Sequence, residues 1–447
     1  QAFRVRGQFV FFVCVGGPPL GQLVWSLTGS WAERLEGSAL VRRTARMGGA
    51  CCTSEGALAS SAKTHLDERF GLGTADGLQR VAELLTRVEL KLAGERRLTH
   101  PYMLNLGMVL KQVERDRRNA RPTTSGVPFK DAKVLRKAAR YARYASAAYY
   151  SDKRSIARYV GGLHAEDVKH VQGDVLILCP GFFVAVDPET DDIVLAIRGS
   201  GDAAEALGEA VTPTEPLLGG QAHAMMLEGA RQVVEITSKL MTRLSQEFPR
   251  KGIAIVGHSV GGGVASLATI MLCAEGCPFA KLMATGKVKC YAFAPPPTFE
   301  PLWALPAWVH GSTYSFVYNV DCVPRTCVGT LSKLYMALCH VDALPMSSER
   351  RLAFIRGEVE LDCALPDYLD LPQDLAALIG SLYVVGNIVS LYKGDHGQTC
   401  CELSAPHMMD RLLLHPDMVH DHSISCLEQA FEDFRAQVNS SEGCVLS

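Results

Sequence analysis

The run KGIAIVGHSVGGGVASLAT, residues 251–269, limits what this chain can fold into more than any other segment. Ile253, Ala254, Ile255 and Val256 form a short apolar run, as a strand buried on both faces requires. Gly261 to Ala268 are small apart from Val264 and Leu267, which suits a helix packed closely on a sheet. Between the two lies Gly257-His258-Ser259-Val260-Gly261, a G-x-S-x-G pentapeptide. In a chain with 40 glycines the pentapeptide alone says little. Strand, tight turn and small-residue helix together predict a nucleophile elbow, which lifts a serine hydroxyl clear of the sheet on a strained turn. The glycines two residues either side of Ser259 leave room for that turn.

The 447 residues are enough for one large α/β domain and an accessory segment. A formal net charge of −2 gives no electrostatic footprint for nucleic acid. The 15 cysteines include no C-x-x-C pair, and the adjacent pairs Cys51-Cys52 and Cys400-Cys401 do not have zinc-ligand spacing. Free, mostly buried thiols in a reducing, cytoplasmic setting are therefore expected. No stretch approaches the roughly 20 apolar residues of a membrane span. The best candidate, which starts at Phe9, is interrupted by Gly16-Gly17-Pro18-Pro19.

Residues 1–46 carry little pattern and are left unassigned, as sequence that need not belong to the mature protein. Met47 is the first methionine. An initiator there exposes Gly48 for myristoylation and puts Cys51 and Cys52 in reach of palmitoylation, although the consensus wants Ser or Thr where Cys52 stands. Residues 47–125 read as a helical segment and linker. Within it Leu78, Val81, Leu84, Leu85 and Val88 have amphipathic spacing, and a second helix is predicted over 102–116. The polar stretch 117–128 is the linker, and another helix follows over 135–150. Strands are predicted at 182–188, 192–199, 252–257, 290–295, 313–319 and 382–393. Their alternation with helices predicts an α/β domain over 126–437, a mostly parallel mixed sheet covered by helices. Residues 438–447 are a flexible tail.

A serine hydroxyl becomes a useful nucleophile only when a base within hydrogen-bond reach removes its proton. That base is nearly always a histidine oriented by a carboxylate, and on an elbow of this kind both follow the serine in the chain. Asp321 stands out for the acid, because it closely follows the strand at 313–319, where sites of open α/β sheets gather. Asp342, Asp362, Asp367 and Asp370 read as solvated surface. For the base, His422 lies in a loop before an amphipathic C-terminal helix. His420 is its main rival, and His407 and His415 are less well placed. An oxyanion needs two N–H donors aimed at one point. Val260 directly follows the serine and supplies one; the loop Arg198-Gly199-Ser200-Gly201 fits the other.

Seven segments together resemble the class 3 lipases, and among them the sn-1-specific diacylglycerol lipases. They are VAVDPETDDIVLAIRGS (184–200), AHAMMLEGA (222–230), GHSVGGGVASL (257–267), YAFAPPP (291–297), YNVDCVPR (318–325), LYVVGNIVSL (382–391) and MVHDHSISCLEQAF (418–431). The resemblance implies an α/β-hydrolase fold, with Ser259 as nucleophile, Asp321 as acid, His422 as base, and Ser200 with Val260 as the oxyanion hole. It implies hydrolysis of a fatty acyl ester of a glycerolipid, most closely diacylglycerol, with no metal or organic cofactor. The chain departs from the family at Met225, where glycine is common, and at Gly208-Glu209, where Thr-Asp is common. The span 326–370 reads as an insertion that either gates the site or decorates the surface.

The last four residues, Cys444-Val445-Leu446-Ser447, match a C-a-a-X box with farnesylation of Cys444 expected. One lipid chain binds membranes marginally and no polybasic patch assists it, so a second signal is needed. The expectation is a peripheral protein acting at a membrane or lipid-droplet surface. A phospholipase A1, a monoacylglycerol lipase and a catalytically silent scaffold are the alternative readings.

Overall fold

The computed structural model describes residues 2–5, 8–11, 52–92, 98–115, 124–173, 179–201, 203–209, 212–361, 365 and 380–443. The chain divides into two compact units, Gln1–Ser54 and Glu55–Ser447. In the first, β1 (Ala2–Val5) pairs antiparallel with β2 (Gln8–Phe11). Gly48, Cys51 and Cys444 lie outside the described residues, and Cys52 is the first residue of a helix.

Three helices come first after the hairpin: α1 (Cys52–Phe70), α2 (Thr74–Leu92) and α3 (Tyr102–Arg115). Next are α4 (Ala132–Ala147), α5 (Lys153–Val160), β3 (Val168–Gln172), β4 (Phe182–Asp187) and β5 (Asp192–Ile197). Helix α6 (Ala203–Glu209) and the hairpin β6 (Thr214–Leu217) with β7 (Gly220–His223) precede α7 (Ala224–Glu247). Then come β8 (Gly252–His258), α8 (Val260–Cys273), α9 (Ala280–Ala284), β9 (Val288–Phe293), β10 (Phe299–Glu300), α10 (Ala307–Ser312) and β11 (Thr313–Tyr318). The chain continues through α11 (Val328–Asp342), α12 (Ser348–Arg356), β12 (Asn387–Lys393), β13 (Thr399–Ser404) and α13 (Ile424–Gly443).

Eight strands form one sheet in the order β13-β12-β11-β9-β8-β5-β4-β3. Its five inner strands, β12 to β5, run parallel, and antiparallel strands close both edges. Side chains alternate between two cores, as the period of two requires. Ile253 and Ile255 of β8 point into one, with Leu227 and Val233 of α7 and Leu267 of α8. Ala254 and Val256 point into the other, with Tyr141 of α4 and Phe431 of α13. This is the α/β-hydrolase arrangement, a mostly parallel mixed sheet with helices on both faces. Cys179, Cys273, Cys290, Cys322, Cys327 and Cys401 are buried free thiols. No described helix is long and apolar enough to cross a membrane.

Several features differ from the sequence reading, among them residues 438–443, expected as flexible tail, which continue α13 to Gly443. The strand expected over 382–393 begins only at Asn387, because Gly386 has φ +91° and breaks the extended run. Tyr383 instead forms an isolated antiparallel bridge to Phe299. The span 326–370 is not surface decoration where it is described, since α11 packs on α2 and α12 packs on α3. Asp342, read as solvated, is buried at that junction. Asp362, Asp367 and Asp370 lie outside the described residues.

Asp342 accepts hydrogen bonds from the Thr99 N–H and hydroxyl (both 2.7 Å), the His100 N–H (2.9 Å) and Asn105 Nδ2 (2.9 Å). Burial works against its charge, but the donors of Thr99, Asn105 and His100 outweigh it and hold the carboxyl well below its ordinary range. The fully buried Arg351 ties the same junction to α12. It donates to Asn105 Oδ1 (2.8 Å) and to the carbonyls of Val341 (2.9 Å), Asp342 (2.9 Å) and Leu344 (3.0 Å). Asp342→Ala strands the buried Asn105 amide, removes the acceptor of Thr99 and His100, and is expected to cost about 3 kcal/mol. A urea titration checks this through the midpoint, which should fall with an unchanged slope.

Candidate active site

The turn at Ser259 follows directly from the glycines around it. A Cβ on Gly257 would run into the backbone of Gly261, and a Cβ on Gly261 would run into the backbone of Ile197 and Arg198. The chain therefore turns from β8 into α8 with no space for larger residues. Ser259 itself takes φ +58°, ψ −133°, a strained backbone for a residue with a side chain. Its N–H is tied to the Phe293 carbonyl at 2.8 Å, which holds the turn against β9.

Asp321 stands three residues beyond β11, on a loop closed by its own N–H to the Tyr318 carbonyl (3.0 Å). The Val323 N–H donates to Asp321 Oδ1 at 2.9 Å and fixes the carboxylate's orientation. His422 ends the 3₁₀ turn His420–His422 just before α13. The structure brings these three side chains together although 163 residues separate Ser259 from His422. His422 Nδ1 lies 3.0 and 3.2 Å from the two Asp321 oxygens, and Nε2 lies 2.9 Å from Ser259 Oγ. A carboxylate only accepts, so Nδ1 carries the proton and Nε2 offers its lone pair to the Ser259 hydroxyl. All three residues are buried, at 2 % exposure for Ser259, 0 % for Asp321 and 3 % for His422.

The rival histidines are placed elsewhere. His420 points outward, with Nδ1 3.7 Å from Cys426 Sγ. His415 Nδ1 accepts from the Asp417 N–H at 3.1 Å. His407 lies in the 3₁₀ turn Pro406–Met409.

A fourth histidine supports the arrangement. His258 Nε2–H donates to the backbone carbonyl of His422 at 2.9 Å, and the Tyr149 hydroxyl donates to its Nδ1 at 3.1 Å. Burial first, and then the neighbouring His422, push its pKa down to about 3, so it stays neutral. The Arg198 guanidinium lies over the Tyr149 ring, 5.3 Å from the centroid. A Cβ on Gly199 would strike the His258 carbonyl and the Tyr149 hydroxyl, and would reach Ser259 Cβ at 3.0 Å. Sequence reading placed Tyr149 in the helix expected over 135–150 and gave His258 no role. Only tertiary contact reveals that they join the loop at 198–200, the turn at Ser259 and the backbone of His422.

Of the two expected oxyanion donors, Val260 is the first residue of α8, where first-turn N–H groups have no acceptor within the helix and the dipole favours negative charge. The Ser200 loop is braced by α6: the Ser200 hydroxyl donates to Glu209, and the Gly201 N–H donates to Glu205. Burial pushes the Glu209 carboxyl up, against the Ser200 hydrogen bond and together with Glu205. The carboxylate accepts that hydrogen bond and so fixes the Ser200 rotamer beside the turn at Ser259. Buried His223, at the start of α7, donates through Nε2 to the Glu209 carbonyl at 3.0 Å. Burial lowers its pKa to about 4. The Gly208-Glu209 departure thus retains a carboxylate against Ser200, and Met225 packs against the core.

The family model for Lipase (class 3) matches residues 194–330, a stretch that contains Ser200, Ser259, Val260 and Asp321. Over residues 194–330 the chain is similar to the class 3 lipases. Diacylglycerol lipase-beta of Mus musculus is 26% identical over 192 residues, 41% of this chain and 27% of that protein. Secreted mono- and diacylglycerol lipase A of Penicillium cyclopium is 30% identical over 162 residues, 36% of this chain and 49% of that protein. The chain therefore matches between about a quarter and a half of the length of these relatives. Among solved structures, a lipase from Rhizopus microsporus var. chinensis superposes with a TM-score of 0.45 at 16% identity, over 68% of this chain and 91% of that one. Ser200→Ala is expected to lower kcat by about 10²-fold, since the backbone N–H remains. Steady-state hydrolysis of a soluble ester measures that loss; an unchanged kcat would remove Ser200 from the site.

Proposed function

We propose that the protein is a serine lipase that hydrolyses a fatty acyl ester of diacylglycerol or a related glycerolipid. The single observation that carries this reading is the continuous hydrogen-bond chain from Asp321 through His422 to Ser259 Oγ. As substrate binds, His422 Nε2 takes the Ser259 proton and Oγ attacks the ester carbonyl. The negative oxygen of the tetrahedral intermediate is met by the Val260 N–H and by Ser200. His422 then gives the proton to the departing glyceride oxygen, leaving an acyl-enzyme. Water, deprotonated by the same imidazole, attacks next, and the fatty acid leaves with Ser259 restored. Asp321 orients the imidazole and stabilises the imidazolium.

The near-complete burial of Ser259 and His422 bears on how substrate arrives. We place the encounter with substrate at a membrane or lipid-droplet surface. The substrate class rests on the relatives, which are a diacylglycerol lipase and a mono- and diacylglycerol lipase. A panel of diacylglycerol, monoacylglycerol and phosphatidylcholine in mixed micelles tests it. Fastest fatty-acid release from diacylglycerol, absent in Ser259→Ala, is the expected result. Faster release from phosphatidylcholine would make the protein a phospholipase, and no release from any of them would overturn the reading.

A further inference from the structure

We propose that His420, Asp421 and Cys426 form a binding site for a thiophilic divalent cation of the zinc class, whose occupancy slows turnover at the adjacent His422. The three residues flank His422, two in the 3₁₀ turn before it and one in the first turn of α13. His420 Nδ1, an Asp421 carboxylate oxygen and Cys426 Sγ all lie within 4.8 Å of one another. Cys426 Sγ is 3.7 Å from His420 Nδ1, which is 3.8 Å from Asp421 Oδ1. Ligands at ordinary zinc distances on a tetrahedron stand about 3.3–3.6 Å apart, so the two edges from His420 close by a few tenths of an ångström, and the third, within 4.8 Å, by about an ångström at most. Imidazole, carboxylate and thiol on three corners leave the fourth for water.

The environment favours a cation. Asp421 is buried, and its Oδ2 already accepts from Asn319 Nδ2 (2.8 Å) and the Val320 N–H (3.3 Å). Oδ1 is therefore the oxygen turned toward His420. Burial, with Asp417 and Asp321 nearby, pushes the Asp421 carboxyl up to about 6. Burial and the carboxylates of Asp421, Asp321 and Asp417 push the Cys426 thiol up to about 11. The carboxylates of Asp417 and Asp321 lie near both groups and add negative charge around the site. Access is provided by His420, whose side chain is 77% exposed. On binding, Cys426 gives its proton to solvent as the metal–sulfur bond forms, with no change of oxidation state. A sulfur ligand selects against magnesium and calcium, which take oxygen donors.

Coupling to His422 follows from connectivity. Asp421 accepts from the Asn319 side chain and the Val320 N–H in the loop that leads into Asp321, and it adjoins His422 in the chain. A dication there opposes the positive charge that His422 must acquire and fixes the turn that carries it. This coupling rests on the lipase reading, whereas binding does not.

Cobalt(II) titration of the full chain, kept reduced with a phosphine, tests binding through the thiolate-to-cobalt absorption in the near ultraviolet. Wild type should show a band that zinc displaces. Cys426→Ser should lose it, and His420→Ala should weaken cobalt binding at least about tenfold. No band, or one unchanged in Cys426→Ser, would overturn the site, whether or not the protein hydrolyses lipid. Zinc should slow ester hydrolysis by wild type, reversibly with chelator, while Cys426→Ser resists and magnesium has no effect. Equal zinc sensitivity of the two proteins, or a wild type that binds zinc with undiminished turnover, would overturn the coupling.

Discussion

His422→Ala is expected to lower kcat by roughly 10⁶-fold, with the fold retained. Ser259 Oγ has the Nε2 lone pair at 2.9 Å, and without it the hydroxyl must attack as a neutral alcohol. The variant leaves the surroundings in place, because His258 binds the backbone carbonyl of His422 and not its ring. The effect should therefore fall on kcat, with KM little changed. Fatty-acid release from emulsified diacylglycerol, alongside circular dichroism, separates lost chemistry from lost structure. Activity within tenfold of wild type would show that another group serves as the base.

Asp321→Asn tests a different step and should cost about 10⁴-fold in kcat. The Val323 N–H, 2.9 Å from Oδ1, selects the oxygen of the new amide for that position. The amide nitrogen then takes the Oδ2 position, 3.2 Å from His422 Nδ1, and its donation there favours Nδ1 as the acceptor. The imidazole proton moves to Nε2 and points at Ser259 Oγ, so the base is lost while the side-chain geometry is kept. Asn also removes the negative charge that stabilises the imidazolium. A kcat loss below about tenfold would mean that Asp321 does not set the histidine tautomer.

The parts legible in the sequence were those that local chemistry specifies. Apolar runs at 182–187, 192–197 and 252–258 announced buried strands, and Gly257 and Gly261 announced the turn at Ser259, because both patterns are written in neighbouring residues. The edge strands β3 and β13 were not anticipated: VKHVQ is only partly buried, and TCCELS mixes polar and apolar residues. Helix α1 lies in the segment read as helical, but its bounds could not be set because its apolar residues keep no stripe over 52–70. Asp342 resembles any surface aspartate until α3 and α12 close over it. The same holds for Glu209, Tyr149 and His258, whose meaning depends on partners 9, 109 and 164 residues away. Hydrogen bonds at such separations leave no periodicity to read.

The claim that Ser259 is made nucleophilic by His422 is tested most directly with a fluorophosphonate, which reports activated serine without needing the natural substrate. Mass spectrometry should find one phosphonyl adduct, on the peptide containing Ser259, absent from Ser259→Ala and greatly slowed in His422→Ala. An adduct that forms elsewhere, or at Ser259 at an unchanged rate when His422 is gone, would contradict it.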